Sequence, residues 1–382
     1  MLINELPDDC LLSIFDYLNN LDDLINCYKV CIKWSHLIAE RTRKVKYFME
    51  DPKYSFDYVH YLGVDSIDVT FLSILFPNLI IAEVSHGFQG KVQFGDIVTF
   101  VSNQKSLKGL IDPSGVSIEK YCDNLEMLSG NHSEPIILRN RSSIKQLHSG
   151  MNSIDTLKPD LSNFPNLERL HTHIKAPDKH YDGPALEKLK ILELAFFCPF
   201  STSICYVFQF IDLCPNLQSA HIFMNSHRLF FDEKLKQECL QDLVLHFFCQ
   251  EPFNWDNLKR LFMKYPNLKH LALRKHWHIT DGHIEQLVHI LPNLLLFDVR
   301  GCRGVTQRAA DSVQNYCKRY GRSVEFYFDG NRHEIESEWP QLSIKHEEIS
   351  RGFDFMKHCF LKDFHQLPHF LIPIDYLKPY TY

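Results

Sequence analysis

A unit of the form Pro-Asn-Leu-x-x-Leu-x-Leu recurs through most of this chain, and a repeat constrains a fold more than any single segment can. The clearest copies are Phe76-Pro77-Asn78-Leu79, Phe164-Pro165-Asn166-Leu167, Cys214-Pro215-Asn216-Leu217, Tyr265-Pro266-Asn267-Leu268 and Leu291-Pro292-Asn293-Leu294, with Asp123-Asn124-Leu125 as a copy lacking the proline. Weaker copies start at Leu107, Ile144, Leu189 and Leu240, so neighbouring anchors stand 18 to 28 residues apart. Pro-Asn stops the preceding helix and turns the chain, and the leucines that follow point inward from a short strand. A lone unit cannot bury its own leucines. Each must stack on the next, which predicts an α/β solenoid with parallel strands inside and helices outside.

The alternation of side chains along each strand also fixes the other face. It places His148, His171, His173, His221, His246 and His270 there, with Arg169, Arg274 and Arg300. Equivalent positions on adjacent strands lie ~4.8 Å apart, so His148 and His171 are expected to be neighbours. No carboxylate or thiolate is fixed beside these histidines by the pattern, so the expectation is a solvated polar face and no metal site. A metal-binding or pH-sensing face is the alternative.

With 382 residues, 45% of them hydrophobic, the chain can bury a sizeable core. Its net charge of −6 and the lack of a Lys/Arg stripe interleaved with aromatics argue against a nucleic-acid partner. The acidic start Met1-Leu2-Ile3-Asn4-Glu5 is unlike a secretory signal, and the most apolar stretch, Phe71 to Ala82, is broken by Pro77-Asn78 and far short of the ~20 residues of a membrane span. The expectation is therefore a chain of the cytoplasm or nucleus, off the membrane, with its twelve scattered cysteines reduced and the sequons at Asn131 and Asn140 unused.

The first forty residues follow a different rule. Leu6-Pro7-Asp8-Asp9 opens a helix, because proline suits a first turn and carboxylates favour its positive end. Leu11, Leu12, Ile14, Phe15 and Leu18 follow at helical spacing; Asn19-Asn20 ends this helix. Asp22 or Asp23 can cap a second, carrying Leu24, Ile25, Cys27, Val30 and Cys31, and Lys33, Trp34, Leu37 and Ile38 continue on a third. Three short helices cannot hide so much apolar surface, so a partner should cover the rest.

The run Leu6-Pro7, Ile14-Phe15, Tyr17-Leu18, Asp23-Leu24, Cys27, Val30-Cys31, Lys33-Trp34, Leu37 resembles the F-box, departing from it only at Cys10 in the first turn. The units ending Trp277-His278-Ile279-Thr280-Asp281 and Cys302-Arg303-Gly304-Val305-Thr306 resemble the cysteine-containing leucine-rich repeats that commonly follow an F-box, with Cys302 matching and Trp277 or His276 replacing the earlier cysteine. The resemblance covers about residues 4 to 330. It implies an F-box at 1–48, a junction with a candidate first strand (Asp65-Ser66-Ile67-Asp68-Val69) at 49–75, a curved repeat array at 76–330, and a tail at 331–382.

The tail holds a candidate helix from Ile344 to Leu361, with Ile349, Phe353, Met356 and Phe360 on one side and Gly352 weakening it by about 1 kcal/mol. It would cap the last repeat; a self-inhibitory plug is the alternative.

In function, the resemblance implies the substrate-recognition subunit of a cullin-based ubiquitin ligase. The F-box would dock on the Skp adaptor through Leu6, Pro7, Ile14, Phe15, Leu18, Leu24, Val30 and Trp34, and cullin and a RING subunit would follow through the adaptor. The repeats would hold an unidentified protein substrate at His246, His270, Arg274, Asp298 and Arg300, since the last units are the best formed and lie farthest from the F-box. A scaffold without a degradation role is the alternative.

No catalytic motif argues for an enzyme: H-E-x-x-H, G-x-S-x-G and the dinucleotide glycine fingerprint are absent. Gly87-Phe88-Gln89-Gly90-Lys91 has its glycines too close for a phosphate loop and reads as a turn. Cys27 and Cys31 lack a second pair at zinc spacing. No cofactor or metal is expected.

Overall fold

The computed structural model describes residues 3–64, 67–115, 117–130, 141–175, 180–198, 200, 203–248 and 251–377. The two sequons have their asparagines outside this set, at Asn131 and Asn140. The chain divides into two compact units, Met1–Ile144 and Lys145–Tyr382.

The first unit opens with helices α1 (Asp8–Phe15), α2 (Leu21–Tyr28) and α3 (Ile32–Thr42). Pro7 precedes α1 in an extended conformation and Asp8 and Asp9 occupy its first turn. The cap of α2 is Asn20 and not Asp22 or Asp23: its side-chain oxygen accepts the N–H groups of Asp22 at 2.9 Å and Asp23 at 3.3 Å. Arg41, fully buried in α3, closes the other end of α1 by donating from Nε to the Phe15 carbonyl (3.1 Å) and from Nη2 to the Leu18 carbonyl (3.0 Å). A cation on the orphan carbonyls of a helix end satisfies them and complements the dipole.

Strands β1 (Tyr47–Met49), β2 (Tyr58–His60), β3 (Ile81–Glu83), β4 (Gly109–Asp112) and β5 (Met127–Gly130) complete this unit, all parallel, in the order β2-β1-β3-β4-β5. Helices α4 (Val69–Leu75), α5 (His86–Gln89) and α6 (Phe94–Asn103) lie in the connections. The candidate strand at Asp65–Val69 is corrected here: Asp68 caps α4 and Val69 is its first residue, while Asp65 and Ser66 lie outside the described residues. Gly87-Phe88-Gln89 is also no simple turn. Ser85 caps it as the single-turn helix α5.

The second unit runs β6 (Gln146–Asn152), α7 (Ile154–Asn163), β7 (Arg169–Lys175), β8 (Ile191–Phe197), β9 (Ile204–Cys205), α8 (Val207–Asp212), β10 (Ser219–Met224), β11 (Arg228–Leu229), β12 (Asp242–Phe247), α9 (Trp255–Phe262), β13 (His270–Arg274), α10 (Asp281–Ile290), β14 (Leu296–Asp298), α11 (Gln307–Tyr320) and β15 (Glu325–Tyr327). Eight of these strands pair in parallel in the order β6-β7-β8-β10-β12-β13-β14-β15, and β9 pairs with β11. Their register aligns Leu147, Leu170, Leu192, Ala220, Leu243, Leu271, Phe297 and Phe326 in one row.

All ten anchors read from the sequence, from Leu79 to Leu294, are buried. The asparagine of the motif has its own task. Asn78 donates to the Arg43 carbonyl, Asn216 to that of Glu187, Asn267 to that of Glu238 and Asn293 to that of Pro266, at 2.7 to 3.0 Å, tying each turn to the one before. Thr280 and Thr306 stand at the N-caps of α10 and α11, and Cys302 packs inside with its thiol on the Leu273 carbonyl.

The tail is not the helix expected at 344–361. It forms a short α12 (Glu334–Glu338), then β16 (Ile349–Arg351), a single turn α13 (Phe355–His358) and β17 (Phe370–Ile372), which pairs with β16. Gly352 takes φ +113°, a conformation that side-chain-bearing residues rarely adopt, and this ends any continuous helix there.

Candidate functional site

Two surfaces carry the residues singled out in the sequence. The first is the three-helix start. Lys33 fastens the segment before α1 by donating to the Leu6 carbonyl at 2.9 Å and pairing with Asp8 at 3.0 Å. Phe15 and Leu24 are buried, and Phe15 meets Trp34 edge-to-face at 5.0 Å, so these side chains hold the helices together and do not form an outer face. Leu6, Leu18 and Trp34 are half-buried and Pro7 is exposed.

Ile14 (43% exposed) and Val30 (55%) are available to a partner. So are Ile3, Tyr17 and Ile32, the last 77% exposed, none of which the sequence marks for docking. Ile32 falls between Cys31 and Lys33, off the apolar stripe, and its only signal is an isoleucine standing where a polar residue would be free.

The second surface is the face of the second unit's sheet opposite the leucine row. The register sets His148, His171, Glu193, His221, Val244, Ala272, Asp298 and Tyr327 side by side. Two positions earlier on their strands, Arg169 and His270 share that face, and two positions later His173, His246 and Arg274 do. His148 stacks on His171 with centroids 4.0 Å apart, as neighbouring strands require.

The expectation of a solvated face is overturned, because the chain's own tail covers it. Leu342, Phe355, Phe360, Phe364, Leu367 and Leu371 form one buried cluster with Ile191, Ala195, Phe223, Val244, Ala272, Leu296 and Tyr327 of the strands. Arg169 donates to the carbonyls of Pro368 (2.6 Å) and His369 (2.9 Å), Arg274 to those of Phe360 (2.5 Å) and Lys362 (2.9 Å), and Gln146 exchanges two hydrogen bonds with the Leu371 backbone. His369 of the tail stacks on His148 at 4.2 Å.

The five residues expected to hold a substrate fare accordingly. Asp298 is wholly buried between Arg274 (3.1 Å) and Arg300 (2.8 Å); burial pushes its carboxyl up, but the two guanidiniums outweigh this and hold it below the usual carboxylate range. His246 and Arg274 are buried, and burial with Lys275 nearby draws the His246 imidazole down to about 4. His270 is half-buried with Nδ1 2.6 Å from Asp242. Arg300 keeps a partly exposed edge. These side chains bind the tail and one another. Among the described residues no three of His, Cys, Asp and Glu are placed to hold a metal ion.

His221 is the odd member of this face: it is 0% exposed, and neither ring nitrogen has a hydrogen-bond partner among the described residues. Burial, reinforced by Arg274, pulls its imidazole well below the ordinary value. A buried polar group without a partner costs roughly 1–3 kcal/mol. His221→Leu is therefore expected to stabilise the fold by about that amount in urea unfolding.

The sign with pH is also fixed. Below its unfolded value near 6.5 the unfolded histidine binds a proton that the folded one refuses, so wild type loses about 1.4 kcal/mol per pH unit at this residue on acidification. The variant should show a correspondingly shallower acid-side slope.

A family model described as F-box-like matches residues 3–43. The chain thus carries an F-box-like domain at its start, of the kind that generally binds Skp-type adaptors, ahead of parallel strands with connecting helices. No curated protein matches the chain.

Proposed function

We propose that this protein is the substrate-recognition subunit of a cullin-based ubiquitin ligase. The single observation that carries the reading is the F-box-like domain at 3–43 with Ile14, Val30 and Ile32 left exposed. Apolar side chains of this size gain most when a partner removes them from water, at about 25 cal/mol per Å². The partner is a Skp adaptor, and cullin and a RING subunit follow through it.

The stacked units after it are read as leucine-rich repeats forming a solenoid that presents a protein for ubiquitin transfer. Their support is the buried anchor row, the asparagine ties and the parallel register. The chain has no catalytic role of its own in this reading and works by raising the local concentration of its cargo near the ligase, in the cytoplasm or nucleus.

Replacing Ile14 and Ile32 together with aspartate should lower adaptor binding about thirtyfold or more, since two exposed anchors of this kind contribute roughly 2 kcal/mol or more. The measurement is cullin recovery in a pull-down, with thermal melting as the control for folding. Undiminished recovery would overturn the adaptor assignment. Cargo that accumulates on the receptor when the proteasome is blocked separates a degradation receptor from a scaffold.

A further inference from the structure

Most of the sheet face that opposes the leucine row is sealed by the tail, but among the described residues its rim at the carboxyl ends of the strands keeps exposed apolar side chains. Met151, which pairs with His173 in the register, is 62% exposed and Phe248 is 66% exposed. Between them Phe197 and His173 are half-buried, and His365 of the tail is exposed. Ring contacts connect the aromatic members through the buried Phe223: His173 to Phe197 at 6.1 Å, Phe197 to Phe223 at 5.5 Å, Phe223 to Phe248 at 5.7 Å and His365 to both His173 and Phe223.

This apolar rim runs into a pocket of about 310 Å³ where the loops after β13 and β14 meet the tail. Asp363 is the link, 3.8 Å from His246 and 3.6 Å from Lys275. Lys275, Arg300 and Arg332 line the exposed part of the pocket together with the carboxylates of Asp363 and Asp329. Arg274 lies at its floor, buried, with Nε unpartnered among the described residues.

Arg274 and Arg300 neutralise Asp298, and Asp329 is engaged by the Gly301 N–H. Arg332 is exposed and makes no hydrogen bond or ion pair to a described residue. Among the side chains that line the pocket, four cations (Arg274, Lys275, Arg300 and Arg332) face two carboxylates (Asp329 and Asp363), with Asp298 and Glu336 beside Arg300 behind them. Lys275 has φ +60°, the one non-glycine residue with positive φ among those described, a conformation that the surrounding structure must enforce.

We propose that this rim and pocket bind an extended protein segment that lays an aromatic or aliphatic side chain against Phe197 and Phe248 and delivers an acidic group, carboxylate or phosphate, to Lys275, Arg300 and Arg332. The proposal rests on reading the chain as a receptor for protein cargo, and it moves the cargo from the face expected in the sequence to that face's uncovered edge. Apolar contact supplies affinity here and the anion supplies direction, since a planar guanidinium matches either oxyanion in a bidentate manner.

The test uses the full chain and fluorescent peptides in a Gly-Ser background, each carrying one Phe and, at several spacings on either side, paired Asp, paired phosphoserine or paired Lys. The acidic peptides are expected to bind roughly tenfold or more tightly than the Lys peptides. Tight binding of the Asp set assigns a carboxylate, and binding of the phosphoserine set alone assigns a phosphate.

Lys275→Glu with Arg332→Glu should cost about tenfold in affinity, as should Phe248→Ser, whereas Lys318→Glu, on an exposed part of α11, should change nothing. Equal binding of Lys peptides, charge-reversed variants with unchanged affinity, or inorganic phosphate binding alone as tightly as any peptide would each overturn the proposal. Acidic-peptide binding that persists in a chain unable to recruit cullin leaves this site standing and removes the ligase reading instead.

Discussion

Deleting residues 339 to 382 should leave a protein that aggregates or fails to fold, and not a receptor released from inhibition. The removed segment contributes Phe355, Cys359, Phe360, Phe364, Leu367, Phe370 and Leu371, each at most 4% exposed. A fully buried large apolar side chain stabilises by about 1.5–3 kcal/mol, so the loss is on the order of 10 kcal/mol, comparable to the whole stability of an ordinary domain.

Deletion also strips the guanidiniums of Arg169 and Arg274 of their carbonyl partners and opens Phe223, Val244 and Leu296 to water. Size-exclusion chromatography and circular dichroism of the truncated chain decide the matter. A soluble, cooperatively melting product that binds more cargo than the full chain would establish a displaceable plug. The contacts describe instead a second half of the core.

The parts of this fold that were legible in the sequence are those fixed by neighbours. The anchor leucines and the Pro-Asn turns could be read because each unit repeats the same local solution, and the period of two along a strand placed His148, His171 and His221 on one face without further information. What those side chains would touch was not legible. Arg169 meets Pro368 across 199 positions and Gln146 meets Leu371 across 225, and no local pattern encodes either contact.

The tail's apolar residues occur at spacings that a helix would also produce. Its phenylalanines are spaced to plug the sheet face, and Gly352, which would only weaken a helix, stands where the chain needs a positive φ. In the first unit the same limit shows at smaller scale. Helical spacing marks Phe15 and Leu24 as apolar but does not say which way they face, and packing turned them inward while Ile32 stayed outside.

Glu193 should prove the most sensitive single position in the second unit. It is wholly buried on β8, and its Oε2 accepts from Arg169 Nη2 at 2.6 Å and lies 3.1 Å from His171 Nδ1. Burial pushes its carboxyl up, but Arg169 and His171 together outweigh burial and hold it below the ordinary value of 4.5.

Glu193→Ala leaves the Arg169 guanidinium, itself 1% exposed, buried without a counter-charge, which costs about 3–5 kcal/mol. Replacing both partners by apolar residues, Glu193→Leu with Arg169→Met, removes the stranded charge. It should recover only part of the loss, because the carbonyls of Pro368 and His369 then lose their donor. Full recovery would mean that Arg169 serves Glu193 alone and that the tail is anchored elsewhere; a single-variant loss below about 1 kcal/mol would mean that the site admits water.

The pH dependence has a definite sign. A carboxyl depressed in the folded state adds stability above its unfolded value near 4.5 and loses it as the pH falls through the lower folded value. Urea unfolding below pH 4.5 should therefore bring wild type and Glu193→Ala closer together, since protonating the carboxyl strands Arg169 in both.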